Sequence, residues 1–256
     1  MSVAGFSLLV ADYMRTDITR RADYIRVGPF LVGLAPHTAS LGYNYATPSV
    51  DARPSQADIA ELISVFVAHD RTPRIEAVAG AAPDAEAALI AAGFSMDQRL
   101  ATLACGVDEA IALATPDGIA IQLVSADKDL LDAVDVQNEA YGEPAPAGPH
   151  DVDRLRAMID RGGMVALARD ASTGRPCGAG LVTDPQAGVA EVAAVATHAA
   201  YRRRGIASSL ASLLTRSAHE RAAALVFLDV VGPAEEAVYL RAGYRRSGER
   251  VWYTLR

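Results

Sequence analysis

Residues 190–207 read AEVAAVATHAAYRRRGIA and are the most informative segment of this chain. Its first half alternates like a strand and carries one carboxylate, Glu191. Its second half, from Arg202 to Ala207, is a basic turn with a glycine that leads directly into a helical pattern. A strand, such a turn and a helix N-terminus form an anion site, because backbone N–H groups and the helix dipole both point at a bound phosphate. We therefore predict a phosphate-binding loop at residues 202–207.

The sequence after this loop alternates between helix and strand. Apolar residues fall on one helical face: Ile206, Leu210, Leu213, Leu214 and Ala218. LVFLDVV, residues 225–231, is an apolar run typical of a buried parallel strand. A short helix is predicted over 234–242 and ends at Gly243, where a left-handed cap is expected. RVWYTLR, residues 250–256, predicts a closing strand.

The loop and this order of elements resemble the GNAT superfamily, the acyl-CoA-dependent N-acetyltransferases. RRRGIA is similar to the family signature R/Q-x-x-G-x-G/A, and AVYLRAGY, residues 237–244, is similar to the pattern on the family's last helix. The resemblance implies an α+β fold with a mixed, mostly antiparallel sheet flanked by helices. It also implies transfer of an acetyl group from acetyl-CoA to a primary amine by direct attack in a ternary complex.

The resemblance implies that acetyl-CoA is the co-substrate and that no metal takes part. It also assigns the residues that bind CoA. In the family the loop holds the pyrophosphate, and the strand before it pairs with pantetheine and meets the thioester carbonyl. The residues that correspond here are Val195, Ala196, Thr197, Arg202, Arg203, Arg204, Gly205, Ile206, Ala207 and Ser208. Where the family often has a pantetheine-binding asparagine, this chain has Gly232. We expect backbone or water to replace it, or the affinity to be lower.

Two residues are predicted to be catalytic by the same resemblance. Tyr239 matches the tyrosine that protonates the leaving thiolate, although a tyrosine packed on a helix by its ring has the same pattern. Glu191, eleven residues before Arg202, matches a glutamate that takes the amine proton through water. Period-two alternation places Glu191 on the same strand face as Val195 and Thr197. The alternative for Glu191 is a sheet-edge carboxylate that faces water.

The chain also contains an internal repeat. Residues 83–103 align without gaps to residues 233–253, and Phe94 corresponds to Tyr244. Both segments predict a short helix, a glycine cap and a strand. We predict two GNAT-like units in tandem, a degenerate one at 1–112 and the acetyltransferase at 118–256. Residues 1–75 carry no R-x-x-G-x-A loop, so the first unit should not bind CoA. Chance similarity between common helix–glycine–strand endings is the alternative.

Composition excludes several other classes of function. Lys128 is the only lysine, which excludes a nucleotide-binding P-loop and nearly excludes a catalytic Schiff base. The five histidines are scattered, and His198 is interpreted as a solvated turn residue. The net charge of −7 argues against nucleic acid as a partner.

The same composition predicts the compartment and the partners of the protein. No apolar stretch is long enough for a membrane span and no signal peptide is recognisable, so we expect a cytoplasmic monomer or homodimer without a membrane partner. The expected acceptor is a small-molecule or peptide amine. A non-catalytic acyl-CoA-binding or regulatory protein, and a purely structural tandem module, are the alternatives.

Overall fold

The computed structural model describes residues 3–20, 24–143 and 146–256. Within these ranges the chain forms seven α-helices: α1 (Val3–Thr19), α2 (Gln56–Ala68), α3 (Pro83–Ala91), α4 (Asp127–Tyr141), α5 (Pro149–Asp160), α6 (Ile206–Glu220) and α7 (Pro233–Leu240). The strands of its first half are β1 (Ile25–Val27), β2 (Phe30–Gly33), β3 (Tyr45–Pro48), β4 (Arg74–Val78), β5 (Ser95–Gly106) and β6 (Ile119–Val124). Those of its second half are β7 (Met164–Asp170), β8 (Pro176–Val182), β9 (Val189–Thr197), β10 (Leu225–Val230) and β11 (Arg245–Thr254).

The fold is mixed α+β with mostly antiparallel strand pairs, which confirms the predicted fold class. The chain divides into two compact units, Met1–Thr102 with Ser247–Arg256, and Leu103–Arg246. The predicted boundaries at 112 and 118 were drawn from sequence order alone and stay a prediction. The two compact units differ from the two predicted domains chiefly because the last ten residues of the chain belong to the first unit.

The first unit is a sheet with the strand order β1-β2-β3-β4-β11-β5. β11 pairs antiparallel with β4 from Arg250 opposite Val78 to Thr254 opposite Arg74. Val251 and Tyr253 lie in one apolar core with residues of α2 and α3, and the Tyr253 hydroxyl donates to Glu86 Oε2 at 2.8 Å. The C-terminal strand therefore completes the core of the unit built by the first hundred residues.

The predicted repeat is visible in the structure as well as in the sequence. α3 and α7 both begin with a proline, at positions 83 and 233, and β5 and β11 begin at positions 95 and 245. The glycine between helix and strand has a left-handed φ in both cases, +92° at Gly93 and +99° at Gly243. The two segments thus repeat one local structure at a constant offset.

The loops after β3 and β4 are joined in the first unit. Its parallel strands β3 and β4 pair at a single position, Ala46 opposite Ile75. The loop that follows β3 then bonds to the loop that follows β4, since Asp51 N–H donates to the Ala81 carbonyl at 2.9 Å. Ala52 is buried in the same core. The ends of the two strands are therefore joined by this hydrogen bond, and the degenerate character of the first unit stays a prediction.

The second unit has the order β5-β10-β9-β8-β7-β6, with the last residues of β5 next to β10. α4 and α5 pack on one face through the core that contains Leu181 and Ala196. α6 packs on the other face, where a Cβ at Gly178 would lie only 2.7 Å from Ile206 Cγ2 and a Cβ at Gly180 would lie 3.2 Å from Leu214 Cδ1. β9 and β10 are parallel and pair at three positions only, from Val189 opposite Leu225 to Glu191 opposite Phe227. Beyond that point the two strands run on without pairing each other.

Removal of residues 247–256 is expected to destabilise the first unit, because β4 loses its antiparallel partner and the core loses Val251 and Tyr253. Truncating one large buried side chain costs about 3–5 kcal/mol, so loss of the whole strand should leave this unit unfolded. Hydrogen exchange of the β4 amides measures the effect. Removal of Arg256 alone, whose side chain is 77% exposed, is the control. Full protection of β4 in the longer deletion would contradict the strand assignment.

Candidate functional site

The unpaired end of β9 contains a β-bulge. Leu181 on β8 lies opposite Ala193, but Ala179 lies opposite Ala196, so residues 194 and 195 together face one residue of β8. Ala194 has a φ of +52°, which is uncommon for a residue with a Cβ and is favoured here by the surrounding hydrogen bonds. A bulge of this kind bends the strand and turns its backbone N–H and C=O groups in new directions.

The bulge corrects the predicted alternation along β9. Side chains opposite each other on paired strands share a face, so Glu191 and Ala193 lie on the face that α4 and α5 cover, as does Ala196. Thr197 pairs with Gly178 and lies on the α6 face instead. Glu191 and Thr197 therefore do not share a face, because one extra residue between them reverses the period.

Two side chains of α4 fix the bulge, and sequence reasoning missed both. Gln137, which is 7% exposed, donates from Nε2 to the Ala194 carbonyl at 3.0 Å. The Tyr141 hydroxyl donates to the Val195 carbonyl at 3.2 Å. Because a trans peptide holds its N–H opposite its carbonyl, the Val195 and Ala196 N–H groups point away from these α4 side chains. The only sign of these two contacts in the sequence is a glutamine and a tyrosine four residues apart, which place both side chains on one face of α4.

The loop before α6 has the shape of an anion site. Arg203 and Gly205 have left-handed φ values of +66° and +88°, and Gly205 is the N-cap of α6 without a side-chain cap. The first turn of α6 contains no acidic residue. Ile206, Ala207 and Ser208 begin the helix with N–H groups that have no intrahelical acceptor. These donors and the positive end of the dipole make this loop suited to a phosphate.

The three arginines of the loop have different surroundings. Arg202 donates from Nε to the Thr197 carbonyl at 3.3 Å, which ties the loop to the end of β9. Arg203 is exposed beside the cavity described below. Arg204 stacks its guanidinium on the ring of Tyr201 at 5.0 Å and does not line that cavity. Arg202 and Arg203 are thus the two placed to meet a ligand directly.

A cavity of about 550 Å³ lies between the end of β9, the loop, α7 and the end of α4. It brings together ten of the twelve predicted site residues, and Glu191 and Arg204 are not among those that line it. The lining residues are Ala140, Tyr141, Val195, Ala196, Thr197, Tyr201, Arg202, Arg203, Gly205, Ile206, Ala207, Ser208, Glu235, Val238, Tyr239 and Arg241. Thr197 Oγ1 is buried and has no hydrogen-bond partner among the described residues. A polar ligand in the cavity would satisfy this hydroxyl.

Tyr239 projects from α7 into this cavity and is 5% exposed. Its ring meets Tyr244 edge to face at a centroid distance of 6.1 Å, and the Tyr244 hydroxyl is held by Thr215 at 2.5 Å. Burial, with a smaller contribution from the Glu235 charge, raises the pKa of Tyr239 well above its usual range. The phenol therefore keeps its proton at neutral pH.

His198 is not solvated, contrary to the sequence interpretation. Its side chain is 13% exposed, and its Nε2 lies 3.0 Å from Glu139 Oε1 and 2.9 Å from Arg175 Nη2. Nδ1 accepts from Ala200 N–H at 3.2 Å. The ring thus links α4, the turn before β8 and the segment after β9. A turn-like sequence around one histidine does not reveal such a long-range arrangement.

Residues 130–246 match the model of the acetyltransferase (GNAT) family. A GCN5-related N-acetyltransferase from Kribbella flavida is similar over 97% of this chain and 95% of its own, with a TM-score of 0.79 and 21% identity. A tandem GNAT protein from the clavulanic acid biosynthesis pathway is similar over 88% and 77%, with a TM-score of 0.63 and 17% identity. No curated protein that was compared matches the sequence.

The match to the GNAT family model thus falls on the part of the chain that contains the predicted loop. The fold of the whole chain is that of the GCN5-related N-acetyltransferases, including one with a tandem arrangement. Within the ranges that the structure describes, no helix is both long and apolar enough to cross a membrane.

Proposed function

We propose that the protein is an acyl-CoA-dependent N-acyltransferase that moves an acetyl group from acetyl-CoA to a primary amine in a ternary complex. One observation supports this proposal: one cavity is lined by a helix N-terminus suited to an anion, by the bulged end of β9 and by the Tyr239 phenol. An acetyl transferase needs these three parts to hold the pyrophosphate, to stabilise the oxyanion and to protonate the thiolate.

The residues present fit acetyl-CoA. The loop donors and Arg202 and Arg203 would hold the pyrophosphate, and the orphaned Thr197 hydroxyl would meet the pantetheine arm. The Val195 N–H, turned away from α4, would stabilise negative charge on the thioester oxygen. Ala196 and Thr197 extend the strand edge along which the arm would run.

The proposed reaction is direct acyl transfer. The amine nitrogen attacks the thioester carbon, and a carbon–nitrogen bond forms as the carbon–sulfur bond breaks. The Tyr239 hydroxyl gives its proton to the departing sulfur. Before the attack, the substrate ammonium loses one proton to Glu191 through water, since this carboxylate lies outside the cavity lining, and the neutral amine is the nucleophile. The second nitrogen proton, released as the amide forms, returns through water to the Tyr239 phenolate.

Glu191→Gln is expected to depress the low-pH limb of kcat/KM and to be partly rescued at high pH, where more of the amine is already neutral. Glu220→Gln, at the exposed end of α6, is the control. The measurement is a pH profile of free-thiol release from acetyl-CoA. An unchanged low-pH limb would show that Glu191 is a structural sheet residue.

A non-catalytic acyl-CoA-binding protein is the second candidate function. Gly232 favours it, because this position offers no side chain to pantetheine. The two candidates differ in turnover, so the test is free-thiol release with acetyl-CoA and a panel of amines, peptides and aminoglycosides. Tight CoA binding without any turnover across a broad panel would support the second candidate.

We expect one acyl-CoA per chain, bound in the second unit, since residues 1–75 carry no R-x-x-G-x-A loop. Titration calorimetry with CoA should give a stoichiometry near one. Two equivalent sites would contradict the degenerate first unit.

A further inference from the structure

Glu235 is the only acidic side chain among the residues that line the cavity. It stands in the first turn of α7, three and four residues before Val238 and Tyr239, so all three share one helix face. Its Oε2 accepts the Val231 N–H at 2.7 Å, which holds the carboxylate in place at the end of β10. The other carboxylate oxygen keeps its capacity to accept a hydrogen bond from a ligand.

Three backbone carbonyls of the cavity lining already accept from a side chain. The carbonyl of Val195 accepts from Tyr141, and that of Thr197 accepts from Arg202. The carbonyl of Val238 accepts from the Ser208 hydroxyl at 3.0 Å. These three oxygens are therefore already engaged, and a buried ligand N–H left without an acceptor is costly.

The pantetheine arm of CoA carries two secondary amides, and each brings one N–H donor. We propose that Glu235 accepts a pantetheine amide N–H and so takes the place of the side chain that Gly232 lacks. This inference rests on the proposed function, because it concerns how the same cavity holds its acyl donor. A charge-assisted hydrogen bond there is worth more than a neutral one, since the carboxylate is partly shielded from water.

The internal repeat supplies a comparison within the chain. At the offset of 150 residues Glu235 corresponds to Ala85, which is fully buried in the core of the first unit. The unit that is expected to bind no CoA therefore carries a small apolar residue where the second unit carries a carboxylate. Glu235→Ala reproduces that difference in the second unit.

The test compares CoA with adenosine 3′,5′-bisphosphate, which has phosphates but no pantetheine arm. Glu235→Ala should raise the Kd of CoA about 10-fold or more and leave the Kd of the bisphosphate unchanged. Glu235→Gln, which keeps an acceptor oxygen, should lie between Glu235→Ala and the unchanged protein. Glu236→Ala, one residue further on and outside the lining, is the matched control.

Three outcomes would overturn the inference. The first is an unchanged Kd for CoA in Glu235→Ala. The second is an equal loss for both ligands, which would indicate a disturbed loop. The third is a raised KM for the amine with an unchanged Kd for CoA, which would assign Glu235 to the acceptor. Failure of the unchanged protein to bind either ligand would instead refute the proposed function itself.

Discussion

Gly205→Asp should abolish measurable CoA binding, because position 205 is the N-cap of α6 in the phosphate loop. Its φ of +88° is strained for any residue with a Cβ, at a cost of about 1–2 kcal/mol. A Cβ there would meet only Pro116 Cγ at 3.8 Å, so the fold has room for the side chain. The loss should come from a carboxylate placed where the diphosphate must approach the backbone. Calorimetry or a CoA-dependent thermal shift measures it.

Two variants separate charge from strain. Gly205→Ala has the same strained φ without the charge and should retain weakened binding. Gly174→Asp adds the same charge at a left-handed glycine, φ +71°, in the turn between β7 and β8, and should bind normally. If a folded Gly205→Asp protein binds CoA with unchanged affinity, the phosphate site lies elsewhere.

Tyr239→Phe should lower kcat on the order of 10²-fold and leave the Kd of CoA nearly unchanged, because the lost proton acts only in the transition state. The substitution removes one oxygen from a side chain whose hydroxyl makes no hydrogen bond within the described residues, so packing against Tyr244 should persist. Single-turnover release of free thiol measures the effect.

The pH dependence distinguishes the acid from other roles. The raised pKa of Tyr239 keeps the phenol protonated up to at least about pH 10, roughly the usual pKa of a tyrosine. In the unchanged protein, ionisation of Tyr239 should therefore not lower kcat between about pH 6 and pH 10. Tyr253→Phe, which removes a hydroxyl from the first unit, is the matched control. Full activity in Tyr239→Phe would leave the ring as a packing element only.

The loop and its helix could be predicted because their signals are local. RRRGIA requires a turn with a left-handed residue, and the apolar spacing after it requires a helix, whatever the rest of the chain does. Tyr239 followed from its place on the next helix. The cavity therefore contains almost all of the residues expected to bind the cofactor.

The bulge could not be predicted because it depends on partners distant in sequence. Ala194 has no local preference for a positive φ, and its conformation is held by Gln137 and by the register with β8. For the same reason the face of Glu191 was predicted wrongly relative to Thr197. The carboxylate of Glu235 was missed because an acidic residue in the first turn of a helix usually needs no reason beyond the helix dipole.

The placement of β11 in the first unit has a consequence for how this chain can change over generations. A substitution at Val251 or Tyr253 is encoded in the second copy of the repeat, but selection acts on it through the stability of the first unit. A gene cut between the copies would yield a product ending near residue 102 that lacks its last strand. The two copies can therefore diverge in sequence, as Glu235 and Ala85 have done, yet they cannot be inherited separately as working proteins.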